Sequence, residues 1–295
     1  MKIRIIFLSI PLLLLQACNY SGPSISMNKN TSNGISTTGI GLSCNSVYVT
    51  EGKEKKISGS TFTYGGKFHL NFNNIKGFEK ENGNVYPGMM ISVMNSDGDT
   101  LMHQDDAYGD QKDGFSISPL LLRTAFTAAK PIISDGEYKL AVFIWDKKGK
   151  GTFTAKLKFK VKPNEHIKLD ARNASAEEIY LFSQDEKMTI TGNEVNLNET
   201  FYFLIEGLQG FHEEDGNVFP GLSMMATDAN NKIVVNEKDL YGDTAVNAAQ
   251  FKSQVAPNFI FTGGQIKNPI KCKVEVWDKK SRSMISATID LNVIE

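Results

Sequence analysis

Two segments of the chain place acidic, amide and aromatic side chains at the same spacing, and these side chains could carry chemistry. They are Glu81, Asn84, Tyr86, Tyr108 and Asp110, followed 133 residues later by Glu214, Asn217, Phe219, Tyr241 and Asp243. Carboxylate and amide oxygens on loops are the ligands that Ca2+ prefers, at a distance of about 2.4 Å. Exposed aromatic rings with polar neighbours suit a sugar or a protein surface. We therefore treat these residues as the candidate binding residues.

The same residue types also have purely structural uses. Aspartate and asparagine side chains cap turns and bind nearby backbone amides. Glycines that recur with them, such as Gly83, Gly88 and Gly109, suit backbone with positive φ. We expect the recurring aromatic rings, with Trp145 and Trp277, to pack between two sheets. These interpretations stand beside the binding one, and we expect no cofactor other than Ca2+.

Catalytic motifs are weak in this sequence. None of the four histidines has a histidine at the equivalent position of the other copy, and none forms a metal-binding pair four residues apart. There is also no nucleophile elbow or phosphate-binding loop. His103 with Asp105 and Asp106 could form an acid–base group, and two of the 33 acids could serve glycoside hydrolysis. A hydrolase is thus the least favoured alternative, and we expect no enzyme.

The recurring residues belong to a tandem duplication. Residues 77–110 align without a gap to residues 210–243, and 12 of these 34 positions are identical. Further along, the Trp-Asp-Lys-Lys sequence at 145–148 returns at 277–280. Similarity in one order over most of about 120 residues indicates two copies of one domain.

The elements that carry these residues are predicted to be strands. Residues 139–145 and 272–277 alternate apolar and polar side chains with the period of a half-buried strand. Asp97-Gly98 marks a hairpin between two short strands, and only 119–129 competes between helix and strand. The fold class is therefore all-β, with two antiparallel β-sandwiches at 43–163 and 164–295.

The N-terminal residues have the features of an export signal. Lys2 and Arg4 precede the apolar run 5–15, which is too short to span a bilayer. The run ends in Leu15-Gln16-Ala17-Cys18, which resembles a bacterial lipoprotein box. The resemblance implies that 1–17 is removed and that Cys18 is acylated. We interpret 18–42, rich in Ser, Asn, Thr and Gly, as the lipidated cysteine and a flexible tether.

Residues 136–148 with the strand that follows resemble the last hairpin of an immunoglobulin-like sandwich. A lipoprotein box, a tether and two such sandwiches together resemble the cell-envelope lipoproteins of Bacteroidota. This resemblance implies an outer-membrane lipoprotein, facing either the periplasm or the surface, that meets the membrane through its lipid. We expect a non-catalytic binding or assembly protein whose partner is another envelope protein. The alternative is a surface module that binds a glycan or Ca2+.

Charge and cysteine content restrict the partners. A formal net charge of −1 excludes generic nucleic-acid binding. Between the copies the charge divides unevenly, because 43–163 has 17 basic and 13 acidic residues (+4) and 164–295 has 12 and 20 (−8). Cys44 and Cys272 lie in different copies, and we expect two small buried side chains rather than a disulfide.

Overall fold

The structure is a computed structural model that describes residues 24–30, 34–52, 55–263 and 267–294. The predicted signal peptide (1–17) and Cys18 lie outside the described residues. Within the described ranges, no helix is long and apolar enough to cross a membrane.

The chain is nearly all β, as the alternation predicts. The strands of the first copy, which we call domain 1, are β1 (Ile25–Asn30), β2 (Ile35–Ile40), β3 (Ser43–Glu51), β4 (Lys55–Ile57), β5 (Thr61–Thr63), β6 (Lys67–Lys76), β7 (Pro87–Met94), β8 (Thr100–Gln104), β9 (Leu121–Thr127), β10 (Glu137–Asp146) and β11 (Thr152–Lys162). The ambiguous segment 119–129 is thus resolved as a strand.

Domain 1 is a sandwich of two sheets. The larger sheet has the order β1-β2-β11-β10-β7-β8, with β5 running parallel beside β11, and the smaller sheet has the order β4-β3-β6-β9. Leu140, Val142 and Ile144 of β10 are completely buried between the sheets, against Phe68 and Phe72 of β6. Each such side chain contributes about 1.5–3 kcal/mol when it leaves water.

The second copy, domain 2, repeats this plan. Its elements are β12 (Lys168–Arg172), β13 (Glu178–Ser183), β14 (Met188–Ile190), β15 (Glu194–Asn196), β16 (Thr200–Glu206), β17 (Asn217–Val218), β18 (Pro220–Thr227), β19 (Ile233–Glu237), β20 (Val246–Asn247), α1 (Ala248–Ser253), β21 (Gln254–Val255), β22 (Asn258–Ile260), β23 (Ile270–Asp278) and β24 (Met284–Ile294). The larger sheet, β12-β24-β23-β18-β19, matches β2-β11-β10-β7-β8 strand for strand, and β13, β14 and β16 stand where β3, β4 and β6 stand in domain 1.

The prediction of a flexible tether over 18–42 is wrong for much of that segment. Residues 35–40 form β2, which pairs with β11 so that Ile40 lies opposite Thr152. Domain 2 has the same register, since Arg172 of β12 lies opposite Met284, the counterpart of Thr152. β1 adds a further edge strand that domain 2 lacks. A polar, glycine-containing composition suggests a linker, but a strand near the sheet edge needs only backbone pairing and a few inward side chains, here Ile35 at 2% exposure.

The two domains contact each other through a group of charged and hydroxyl side chains. Both oxygens of Glu178 accept hydrogen bonds from Ser134 of domain 1, one from its N–H (2.5 Å) and one from its Oγ (2.8 Å). Lys130 of domain 1 lies 2.8 Å from Glu177 and 3.1 Å from Glu206 of domain 2. The basic and acidic copies therefore meet through opposite charges.

Two tyrosines extend this interdomain contact. The rings of Tyr64 and Tyr180 pack with centroids 5.3 Å apart, and the Tyr180 hydroxyl donates to Glu206 at 2.7 Å. Burial raises the pKa of Tyr64 to about 12, and burial together with Glu206 raises the pKa of Tyr180 further. Both hydroxyls therefore stay protonated at neutral pH.

Cys44 and Cys272, the cysteines that the structure describes, are free thiols in separate domains. Cys272 is completely buried, whereas Cys44 is half-buried, and burial raises the pKa of both thiols. Both side chains pack with the hydrophobic core of their own domain.

Candidate functional site

The first candidate residues flank a tight turn in domain 1. The two central residues of Glu81–Asn84 have φ of 53° and 83°, the signature of a type I′ hairpin turn, for which Asn-Gly is the favoured pair. The backbones of Glu81 and Asn84 exchange hydrogen bonds of 2.9 and 3.0 Å. The Asn84 side chain donates to the carbonyl of Asp113 at 2.9 Å. Asn84 is therefore used by the fold, whereas Glu81 is exposed.

An ion pair lies over an aromatic ring beside this turn. Lys148 Nζ is 2.7 Å from a carboxylate oxygen of Glu81 and 4.8 Å from the centre of the Tyr86 ring. The lysine is positioned by the turn between β10 and β11, where its N–H donates to Asp146. Exposed pairs of this kind add little to stability.

Domain 2 repeats the arrangement. The turn Glu214–Asn217 has central φ values of 50° and 74° and the same reciprocal bonds, of 2.8 and 3.0 Å. Lys280 pairs with Glu214, and its Nζ lies 3.8 Å from the centre of the Phe219 ring. The Lys280 ammonium holds the pKa of Glu214 below its usual range. An exposed lysine, a glutamate and a ring thus recur in both copies.

Asp106 of domain 1 is held by backbone amides and a lysine. Its Oδ1 accepts from the N–H groups of Met89 (3.0 Å) and Tyr108 (2.9 Å), and its Oδ2 is 2.7 Å from Lys147 Nζ. Burial disfavours the charged carboxylate, but these bonds outweigh burial and hold the pKa of Asp106 below its usual range. The carboxylate fastens the loop after β8 to β7 and to the β10–β11 turn.

Asp239 has the same role in domain 2. It accepts from the N–H groups of Leu222 and Tyr241, each at 3.2 Å, and lies 2.7 Å from Lys279 Nζ. Burial again opposes ionisation, and the bonds again lower the pKa of Asp239 overall. The retained Asp–Lys pair is therefore a structural clamp.

Asp146 and Asp278 complete this clamp at the end of the penultimate strand. Asp146 accepts from the N–H groups of Glu79 (2.6 Å) and Lys148 (3.0 Å), and Asp278 accepts from that of His212 (2.6 Å). Both aspartates are 4% exposed. Their oxygens serve backbone amides, which accounts for their retention in both copies.

Tyr108 and Tyr241 are half-buried packing residues. The Tyr108 ring packs edge-on against Phe115 with centroids 5.6 Å apart, and its hydroxyl donates to the Arg123 carbonyl at 3.2 Å. Tyr241 packs against Phe251 at 6.5 Å. Burial raises the pKa of both phenols. Of the candidate rings, Tyr86 and Phe219 are the ones stacked with an exposed lysine.

Asp110 and Asp243 are exposed on the loop that follows each of these tyrosines. Lys147 Nζ donates to the Tyr108 carbonyl at 2.9 Å and so joins this loop to the β10–β11 turn. The structure therefore gathers the candidate residues of each copy at one end of its sandwich. The lysines were missed as candidates, although the repeated Trp-Asp-Lys-Lys sequence contains them.

The expectation that Trp145 and Trp277 pack between the sheets is wrong. The opposite face of β10, with Val142, is the one that faces the core, so the tryptophans point outward. The Trp145 ring lies over Gly88, where any Cβ would collide with the indole, and Trp277 lies likewise over Gly221. Neither glycine has positive φ; both are retained because the ring occupies the place of a side chain.

A chain of hydrogen bonds lies on the same outward side of the larger sheet of domain 1. Ser92 Oγ is 2.9 Å from His103 Nδ1, and His103 Nε2 is 2.9 Å from Asp105 Oδ1. This is the connectivity of a nucleophile, a base and an orienting carboxylate. However, Asp105 is 95% exposed, and Ser92 lies within paired strand β7, whose amides are in the sheet ladder. Asp106, which the sequence places next to this group, instead binds Lys147.

Among the described residues, no group of three or more His, Cys, Asp or Glu side chains is arranged to hold a metal ion.

No protein-family model matches the chain, and no curated protein matches it. Among solved structures it is similar to "pT26-6p" (TM-score 0.28, 9% identity, covering 92% of this chain and 66% of that chain). It is also similar to a calcium-binding mutant of Bacteroides uniformis beta-glucuronidase 2 (0.24, 7%, 84% and 32%) and to fibronectin(III)-like modules of Clostridium thermocellum CbhA (0.19, 11%, 83% and 94%). The chain spans less than two thirds of the length of the first two. At these TM-scores the similarities carry no inference about function.

Proposed function

We propose that this chain is a non-catalytic binding or assembly protein of the bacterial cell envelope, held at the outer membrane by a lipid on Cys18. The proposal combines the lipoprotein box in the sequence with the surfaces of the two sandwiches. Its partner is another envelope protein, which the two domains contact through the loop ends that contain Lys148 and Lys280.

The observation that carries the binding role is the repetition of one exposed arrangement. Each copy presents a lysine that pairs with a glutamate and lies over an aromatic ring, Tyr86 in one and Phe219 in the other. Such a group offers a positive charge, a negative charge and an apolar ring within a few ångströms. Aromatic rings beside charged groups are typical centres of protein interfaces.

The acidic residues that both copies retain, and that a catalyst would need, make structural hydrogen bonds instead. Asp106, Asp146 and their counterparts accept backbone N–H groups, and two of them also bind lysines. A carboxylate fixed in this way is poorly placed to transfer protons to a substrate. This arrangement favours binding over hydrolysis.

The binding role is tested by changing the repeated lysines. The double variant Lys148→Glu/Lys280→Glu reverses the charge at both loop ends. Lys67→Glu with Lys271→Glu, at exposed strand ends remote from these loops, is a control with equal total charge. In vivo cross-linking of the anchored protein should yield a defined envelope-protein adduct that the first pair loses and the control keeps. An adduct unchanged by the first pair would disprove the assignment of these loop ends.

A further inference from the structure

One side of the larger sheet of domain 1 combines exposed apolar side chains with lysines, and we call it the outer face. It is the side turned away from the core, and its members used below are Ile25, Met27, Ile40, Phe143, Trp145, Lys139, Lys156 and Lys158. Side chains that lie directly opposite each other in a sheet point to the same face, so the strand register assigns these members.

The outer face has an apolar half. Strand register aligns Ile25, Ile40, Thr152 and Trp145 in one row across β1, β2, β11 and β10. Ile25 is 67% exposed and Ile40 is 42% exposed, which is unusual for large aliphatic side chains that lie side by side. Phe143 stacks beside Trp145 with ring centroids 5.9 Å apart and planes 22° apart.

The next rows of the same face are basic. Lys139 of β10 lies opposite Lys158 of β11, and Lys156 is one row nearer the rings. Among the outward positions of β10 and β11, the only acidic residue is Glu137, the first residue of β10. Its carboxylate lies 2.5 Å from Lys160 Nζ. The face therefore joins apolar side chains to an excess of positive charge.

Domain 2 does not repeat this surface, although it keeps Trp277. At the positions of Ile40, Phe143 and Lys158 it has Arg172, Glu275 and Asp290. Glu275 pairs with Lys273 at 2.6 Å. The apolar and basic combination is thus specific to domain 1 and is not required by the fold.

The position of the chain end indicates what covers this face. Five residues lie between Cys18 and Ser24, and the six Cα-to-Cα steps from Cys18 to Ser24 span at most about 22 Å when fully extended. β1 begins directly after Ser24 and contributes Ile25 and Met27, which is 78% exposed, to the outer face. A tether reaching to residue 42 would have allowed several times that distance.

We propose that the outer face of domain 1 lies against the anionic lipid surface of the membrane into which the acyl chains on Cys18 insert. This inference rests on the anchoring in the proposed function. Tryptophan side chains favour the headgroup level of a membrane, aliphatic side chains insert at the boundary between headgroups and acyl chains, and lysines extend to anionic headgroups. Each lysine near such a surface contributes about fivefold to the affinity. Domain 2, with its charge of −8, is then directed away from the lipid.

The two tryptophans of the chain provide the test, because each reports on one domain. The acylated full chain is reconstituted in vesicles of phosphatidylcholine, with or without about 30% phosphatidylglycerol. Both kinds of vesicle contain brominated lipid as the quencher. Trp277→Phe leaves Trp145 as the reporter, and Trp145→Phe leaves Trp277 as the matched control. We expect quenching and a blue shift of Trp145 in the anionic vesicles, with little change in Trp277.

The role of the outer-face lysines is tested by replacing them with the residues that domain 2 has at the equivalent positions. Lys156→Thr/Lys158→Asp should weaken binding of the unacylated chain to anionic vesicles at least about tenfold. These exposed changes leave the core intact, which thermal unfolding checks.

Equal quenching of both tryptophans, no effect of the lysine variant, or equal results in neutral vesicles would overturn the proposal. An equally strong shift of Trp145 with soluble polygalacturonate would make the face a glycan site and would also overturn it. Absence of acyl groups from Cys18 in the mass spectrum would instead defeat the proposed anchoring, while the titration of the unacylated chain still tests the face itself.

Discussion

Ser134→Ala tests whether the two domains are coupled through the buried carboxylate of Glu178. The substitution removes the 2.8 Å bond from Ser134 Oγ and leaves the 2.5 Å bond from the backbone N–H. Glu178 is 3% exposed, so water does not readily replace the lost donor. A hydrogen bond to a charged group is worth about 1.5–3 kcal/mol. We expect a loss of that size in the free energy that couples the domains.

The assay is urea unfolding followed separately in each domain. Trp145 reports domain 1 in a Trp277→Phe background, and Trp277 reports domain 2 in a Trp145→Phe background. The less stable domain should unfold about 1 M urea earlier in Ser134→Ala, since urea slopes are about 1–3 kcal/mol per molar. Ser134→Thr keeps the hydroxyl and should retain most of the coupling. Unchanged midpoints in both domains would refute the assignment of this bond.

The same carboxylate should make the coupling depend on pH. Burial raises the pKa of Glu178, an effect that exceeds the opposing bonds from Ser134. A group whose pKa is raised on folding stabilises fully below its unfolded pKa and loses that contribution as pH rises through the folded value. The coupling should therefore weaken as pH rises through the folded pKa of Glu178, and Glu178→Gln should flatten this slope. A slope of opposite sign would contradict the argument.

Three further outcomes follow from other contacts. Gly88→Ala should cost about 1–3 kcal/mol, since the new Cβ displaces the Trp145 ring, and an unchanged Trp emission spectrum and urea midpoint would contradict this. Asp106→Asn should cost about 1.5–3 kcal/mol at neutral pH by weakening the Lys147 clamp. Because the folded pKa of Asp106 is lowered, the wild-type contribution should vanish as pH falls through that value, and denaturation at several pH values measures it. Cys272 should resist thiol reagents until domain 2 unfolds, and labelling at the same rate in native and unfolded chain would show that it is not buried.

The sequence was most informative where local chemistry decides the structure. Alternation along 139–145 predicts strand β10 and its two faces, and Asp97-Gly98 predicts the hairpin turn between β7 and β8. The strand register shows that β2 is also part of the duplicated domain, since 36–40 occupies the place of 168–172 in the second copy. The composition of this segment favoured a tether, because β2 is held mainly by backbone hydrogen bonds, which do not require hydrophobic side chains.

Orientation and long-range contacts were harder to predict. Alternation shows that Trp145 and Val142 face opposite ways, but it does not say which side is the core. The retained aspartates suggested ligand oxygens because Asp106 and a metal ligand look alike until the backbone amides around them are known. Glu178 and Ser134 meet across the domain boundary, and neither residue recurs in the other copy as a guide.

The central claim, a binding protein anchored to the envelope through Cys18, is tested most directly by protease treatment of intact cells that express wild type or Cys18→Ala. The wild-type chain should remain with the outer-membrane fraction and carry acyl groups on Cys18 in its mass spectrum. Cys18→Ala should leave that fraction, and its protease sensitivity should change accordingly. Identical fractionation of the two proteins, with Cys18 unmodified, would contradict the account.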